Sequence, residues 1–131
     1  MQDDGSDQPQ TYDPVQRGVP FAVQRGTLDD RIGLIALCGE VDISTSPRFK
    51  EALQALIDDG LTDVVVDLTE VTFIDSTALG VLVGAVRKLH PLQGRLVVVA
   101  EGHAVMRPVT LTGLDRVFTV VPTREEAAAA F

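Results

Sequence analysis

The stretch Val71-Thr72-Phe73-Ile74-Asp75-Ser76-Thr77-Ala78-Leu79-Gly80 decides how this chain reads. It joins a buried strand to a helix that runs from Ser76 to about Leu89 and is stopped by Pro91. At about 100° per residue, Leu79, Leu82, Val83, Val86 and Leu89 fall on one stripe, flanked by Ala78 and Ala85. That stripe is predicted to pack on a sheet. The opposite face carries Thr77, Gly80, Val81, Gly84, Arg87 and Lys88. Two glycines on an outward helix face are costly, at about 1 kcal/mol each relative to alanine. Either they relieve crowding against a neighbouring element of the same domain, or they let a partner's backbone come close. The second reading requires both glycines to be accessible in the isolated domain.

Ser76 stands where an N-cap is expected. A capping hydroxyl accepts a hydrogen bond from a first-turn amide that the helix itself leaves unpaired. The same place also tolerates a phosphate, because free amides and the helix dipole favour an anion there. Phosphorylation would add about 1.5 to 2 negative charges beside Asp75 and repel a partner that must desolvate that corner. Helical spacing alone leaves both roles open.

Working outward, Phe21–Arg25 reads as a short strand, Leu28-Asp29-Asp30 as a turn, and Ile32–Gly39 as a covered strand. A loop follows at Glu40–Thr45. Ser46 is read as the cap of a helix with Pro47 in its first turn, and Gly60 ends it. Phe49, Leu53, Leu56 and Ile57 give that helix its apolar face. Asp63–Leu68 and Gly94–Ala100 each hold three consecutive valines, a buried β signature. A short helix is predicted over His103–Thr112 and a last strand over Arg116–Val121. Thr123-Arg124-Glu125-Glu126 is a capping-box pattern that opens an Ala-rich helix. The order is ββαβαβαβα, an α/β class with a mixed sheet of four to five strands and about four helices. Repeated strand–helix–strand units imply parallel neighbours with right-handed crossovers, and the first two strands are close enough in sequence to pair antiparallel.

The chain has 131 residues, 45% of them hydrophobic, which suits one domain with one core. Residues 1–18 are acidic and polar with few apolar side chains, and are predicted to form a disordered tail ahead of a domain over 19–131. The net charge of -8 and the lack of a basic stripe argue against direct nucleic-acid binding. The single cysteine, Cys38, lies in an apolar run and reads as a core thiol. The amino terminus lacks the pattern of a secretory signal, and no apolar run approaches the ~20 residues that span a bilayer. A cytoplasmic protein without membrane insertion is the expectation.

Catalytic patterns are missing. Asp42, Asp67 and Asp75 have no metal-coordination motif around them, and isolated aspartates near turns are usually local caps. His90 and His103 lie at helix ends, where they read as caps. There is no Gly-x-Ser-x-Gly elbow, no phosphate-binding Gly-rich loop and no Cys/His cluster. No metal site, no cofactor and no enzymatic activity are expected.

Three segments carry a resemblance. Gly39-Glu40-Val41-Asp42-Ile43-Ser44-Thr45, then Val66-Asp67-Leu68, then Phe73 to Gly80 closely resemble the bacterial anti-sigma factor antagonists, or anti-anti-sigma factors, of the STAS domain family. The resemblance covers residues 19–131 in order and spacing. It implies a STAS-like mixed sheet with helices largely on one side. It also implies a partner-switching protein of transcription regulation and stress response. Such a protein binds an anti-sigma factor that is also a serine kinase and so releases a sigma factor. The kinase would phosphorylate Ser76 and break the complex, and a metal-dependent serine phosphatase would restore it. ATP and metal belong to those partners.

Thr77 is a secondary candidate for modification. Asp42, Ser44, Thr45, Asp75, Ser76, Thr77, Gly80, Val81, Gly84 and Lys88 form the expected partner surface. Loop closure and helix capping are the other roles open to Asp42, Ser44 and Thr45. Ala78 departs from the family, which usually has glycine there. The fold should keep it, with some effect on how closely the kinase approaches. Two other classes stay open: the STAS subunit of a membrane lipid or solute transporter that acts structurally on its ATPase, and a small nucleotide-binding module or enzyme.

Overall fold

The computed structural model describes residues 21–131. The expectation for residues 1–18 therefore lies outside the described residues. The elements are β1 (Phe21–Leu28), β2 (Ile32–Val41), α1 (Ser46–Asp58), β3 (Asp63–Ile74), α2 (Ser76–Leu89), β4 (Arg95–Val99), α3 (His103–Leu111), β5 (Thr119–Val121) and α4 (Arg124–Ala129), with short 3-10 turns at His90–Leu92 and Leu114–Arg116. The five strands lie in sequence order, β1 antiparallel to β2 and every later pair parallel. The expected class and element order hold.

A sheet whose parallel strands follow in sequence order has a simple consequence. If each crossover is right-handed, all three crossover helices lie on one face. Accordingly, Phe49, Leu53 and Leu56 of α1, Leu79, Leu82 and Leu89 of α2, and Val105 and Val109 of α3 share one cluster with Ile35, Leu37, Val64, Val66, Leu96 and Val98 of the sheet. Alternate strand residues turn the other way. Ile32, Leu34, Val65, Val97 and Val99 form a second cluster, under Ala127 of α4 with Ala130 and Phe131 against it. Thr123 caps α4 at the position read from the sequence, its hydroxyl accepting from the Glu126 amide at 3.1 Å.

β3 is longer than its valines suggested and continues through Thr69-Glu70 to Ile74. Two register shifts against β2 accommodate the extra residues. One lies between Ala36 and Cys38, the other between Gly39 and Glu40. Gly39 sits at the second with φ of +93°, a conformation that glycine takes without the Cβ clash. The last strand is shorter than expected, because residues 114–116 wind into a 3-10 turn before Thr119. β4 pairs with only Asp63–Asp67 of β3. The far half of β3 thus projects, with the end of β2, beyond the rest of the sheet, and carries the start of α2.

Gly94 enters β4 where the chain passes close to Thr62. An added Cβ there would stand 2.0 Å from the Thr62 carbonyl oxygen. That carbonyl already accepts from the Arg95 amide at 3.1 Å, so neither backbone can withdraw freely. Gly94→Ala is expected to destabilise the domain by about 1–3 kcal/mol, read as a lower urea midpoint; an unchanged midpoint would show that the two segments are not locked together.

Candidate functional site

Parallel strands place their carboxyl ends side by side, and the helices that follow begin at that edge. Val41 pairs with Ile74 in register. The Asp75 amide then donates to the Val41 carbonyl at 3.2 Å. The loop after β2 and the turn into α2 are thereby fixed next to each other, and Asp42 stands beside Asp75.

The cap of α2 differs from the sequence expectation. Asp75 is the N-cap, in extended conformation, and its Oδ1 accepts from the Ala78 amide at 3.1 Å. Ser76 is the first helical residue, and its side chain is exposed. An aspartate one residue earlier satisfies the same amide, with a full charge at the positive end of the dipole. The capping role read for Ser76 is therefore taken, and its hydroxyl is left facing solvent. The Leu79 amide goes to the Asp75 carbonyl at 3.0 Å. The Ser76 and Thr77 amides are those that the open first turn leaves for an outside acceptor.

The neighbouring loop is organised by Asp42. Its Oδ1 accepts from the Ser44 hydroxyl at 2.8 Å, the Ser44 amide at 2.9 Å and the Thr45 amide at 3.2 Å. The Thr45 hydroxyl accepts from the Asp42 amide at 2.9 Å and donates to the Glu40 carbonyl at 3.0 Å. These donors hold the Asp42 carboxyl below its ordinary value of 3.8, with the Ser44 hydroxyl the largest cause and partial loss of water opposing it. Loop closure is thus what Asp42, Ser44 and Thr45 do within the domain. They also shape the rim next to Ser76.

The cap of α1 also differs. Thr45 occupies the N-cap position without a side-chain cap bond, and Ser46 is the first helical residue. The Ser46 hydroxyl is buried with no partner. Thr45 already spends its hydroxyl on the loop.

Between α1 and α2 runs a groove of about 640 Å³. Thr77, Gly80, Val81, Gly84 and Lys88 line one wall, and Pro47, Lys50, Leu53, Gln54 and Ile57 the other. Ile43 stands at its head, 72% exposed. At the far end Lys88 Nζ donates to Gln54 Oε1, bridging the two helices. Gly80 is exposed and Gly84 half-buried. A Cβ at either position would meet nothing within 4 Å. Crowding inside the domain is therefore not the reason for these glycines. The inward stripe is narrower than the helical wheel suggested: Val83 and Val86 are only half-buried, while Ala78 and Ala85 are buried. The Ala78 methyl points into the core at 0% exposure, so it does not form the outward surface and cannot alter a partner's approach directly.

The structure sets the Asp42–Thr45 loop next to the Asp75–Thr77 turn through the Val41–Ile74 pairing and the Asp75 amide, while Thr77, Gly80, Val81, Gly84 and Lys88 line the groove itself. Asp67 does not join them. It is buried on the opposite face, where Oδ2 pairs with Arg124 Nε at 2.6 Å and Oδ1 accepts from the Thr69 hydroxyl and amide at 2.8 and 2.9 Å. Sequence reasoning missed that pairing, since 57 positions separate the partners. It also missed Ile43, Pro47 and Ile57 as groove residues. A single helical wheel shows one wall only.

A family model described as the STAS domain matches residues 27–127. An anti-sigma-B factor antagonist of Listeria monocytogenes is 38% identical over 87 residues, 66% of this chain and 75% of that protein. The anti-sigma-F factor antagonist RsfB of Mycobacterium tuberculosis is 31% identical over 96 residues, 73% of this chain and 78% of that protein. A crystal structure of an anti-sigma factor antagonist from Mycobacterium paratuberculosis superposes with a TM-score of 0.78 at 34% identity, covering 84% of this chain and 92% of that one.

Two measurements check the geometry of the site. Asp75→Ala removes the cap and is expected to cost about 1 kcal/mol of stability, while Ser76→Ala should leave the denaturation midpoint nearly unchanged; the reverse order would return the cap to Ser76. Because the Asp42 carboxyl titrates lower in the folded chain than unfolded, its loop bonds stabilise the fold above pH of about 3.8 and are lost as pH falls through the lower folded value. A carboxyl NMR titration should place the Asp42 midpoint below 3.8, and a midpoint above it would contradict the hydrogen-bond assignment.

Proposed function

The chain belongs to the STAS domain family, and on that premise we propose that it is an anti-sigma factor antagonist switched by phosphorylation of Ser76. The observation that carries this reading is the exposed Ser76, next in the first turn of α2 to Thr77, which lines an open groove with largely apolar walls. Unphosphorylated, the chain receives its anti-sigma factor on the α2 face, and the sigma factor is released. Gly80 and Gly84 admit the partner's backbone, Val81 and Ile43 supply apolar contact, and Lys88 supplies charge at the far end. The relatives named as anti-sigma factor antagonists support this partner class.

The kinase in this reading is the anti-sigma factor itself. It brings ATP and its metal, and this chain contributes a substrate hydroxyl. Asp75 keeps that hydroxyl outward by doing the capping. A phosphate on Ser76 would add about 1.5 to 2 negative charges within the first turn. The open amides of Ser76 and Thr77 and the helix dipole attract it, while Asp75 and Asp42 repel it. The phosphate therefore remains strongly hydrated, and a partner that must strip that water is expelled. A serine phosphatase removes the group and returns the chain to its binding state. The chain performs no catalysis in this cycle and acts in the cytoplasm. No helix among the described residues is long and apolar enough to cross a membrane.

Incubation with a candidate anti-sigma kinase and ATP, followed by mass spectrometry, is expected to find phosphate on Ser76 and none on Ser76→Ala. In calorimetric titrations Ser76→Ala should retain affinity for the kinase and Ser76→Glu should lose about tenfold or more. Equal affinity of the two variants would contradict the switch. The double variant Gly80→Ala with Gly84→Ala should gain about 1–2 kcal/mol of stability and still bind the partner more weakly. Unchanged affinity would move the docking surface off this face.

A further inference from the structure

The charged residues that line the groove between α1 and α2 are both basic, although Asp42 and Asp75 stand near its head. Its only charged lining residues are Lys50 and Lys88. The whole chain carries 19 acidic against 11 basic residues. Its walls are otherwise apolar or small, with a flat shelf at Gly80 and Gly84. A surface of this kind fits a short acidic segment bearing one or two apolar side chains.

Such a segment is present in the chain itself. Residues 1–20 carry Asp3, Asp4, Asp7 and Asp13 against Arg17 alone, with Tyr12 and Val15 as apolar anchors. The described chain begins at Phe21, which pairs with Gly39 near the carboxyl end of β2. The Phe21 ring lies under the Arg48 guanidinium, 5.0 Å from its centroid, and Arg48 is in the first turn of α1. Phe21, where the described residues begin, therefore lies at the same end of the fold as the head of the groove. Thr77 to Lys88 spans about 16 Å of helix, which about five extended residues would match. Crossing the start of α1 takes another ~10–15 Å, or roughly four residues. Residues 1–20 are thus long enough to reach along the whole groove.

We propose that the Tyr12–Val15 segment docks in cis on the Gly80–Gly84 shelf, with the flanking aspartates against Lys50 and Lys88. Covalent attachment at Phe21 presents the segment at an effective concentration of about millimolar, so contacts too weak to hold a free peptide are enough. The amino-terminal segment and an incoming partner would then compete for the same groove. Occupancy in cis stands on the groove and the chain alone, whatever that partner proves to be.

Tyr12 is the only tyrosine and there is no tryptophan, so intrinsic emission reports on residue 12 alone. Acrylamide quenching of the full chain at low salt is expected to be about threefold weaker than in full-chain Lys50→Glu/Lys88→Glu, with the gap closing at high ionic strength. In the full-chain variant Tyr12→Ser, changed outside the described fold, the Gly80 and Gly84 amide resonances should shift. Equal quenching of the wild type and the charge-reversed variant would overturn the proposal, and so would unmoved glycine amides. Protection of Tyr12 that grows with protein concentration would also overturn it, because a second copy would then hold the segment.

Discussion

The site depends on one backbone hydrogen bond, from the Asp75 amide to the Val41 carbonyl. It follows directly on the Val41–Ile74 pairing and extends the contact between β2 and β3 past the end of the ladder. Without it, the loop at Asp42–Thr45 and the first turn of α2 would be tied only through the Val41–Ile74 pairing behind them. With it, they form one rim, and the α1–α2 groove opens below that rim. The two register shifts between β2 and β3 bring Val41 level with Ile74 and so set up this bond, in the part of β3 that runs beyond β4. Topology, register and site are therefore a single construction.

Charge is distributed around this rim with a clear division of roles. Asp75 and Asp42 are both occupied by internal donors, one as a helix cap and one as a loop organiser. Their bonds fix both side chains in place, and those to Asp42 hold its carboxyl below the ordinary value. Ser76 makes no comparable internal bond and remains accessible. A phosphate placed there meets two immobile negative charges and two free amides, so the balance depends on what the partner brings. Burial does the rest: Leu79, Leu82 and Leu89 anchor α2 to the sheet, and Gly80 and Gly84 leave its outer side bare. The helix is held firmly on one face and is open on the other.

Much of this was legible in the sequence. The valine runs located β3 and β4, and the apolar spacing after Ile74 gave α2 from Ser76 to Leu89. The outward position of Gly80 and Gly84 followed from the wheel, with Gly80 exposed, Gly84 half-buried and open space beside both. Other features were not legible. Thr69-Glu70 interrupts the apolar pattern of β3, because bulged residues leave the alternation that identifies a strand. Asp and Ser are equally good caps, so Asp75-Ser76 could be resolved only by seeing which side chain reaches the Ala78 amide. Ser46 was read as a cap, but Thr45 already closes the loop above it. The groove needs two helices and is invisible in either alone. The Asp67–Arg124 pair crosses from strand to terminal helix and leaves no local trace.

The central claim is that the α2 face, headed by Ser76, is the surface whose charge state decides partner binding. Hydrogen–deuterium exchange on the complex between the unphosphorylated chain and its anti-sigma factor tests it directly. New protection is expected at residues 42–45 and 76–88 and the facing turns of α1, with the α4 face unchanged. Protection on α4 and the outer edge of β5, with residues 76–88 exchanging as in the free protein, would contradict it.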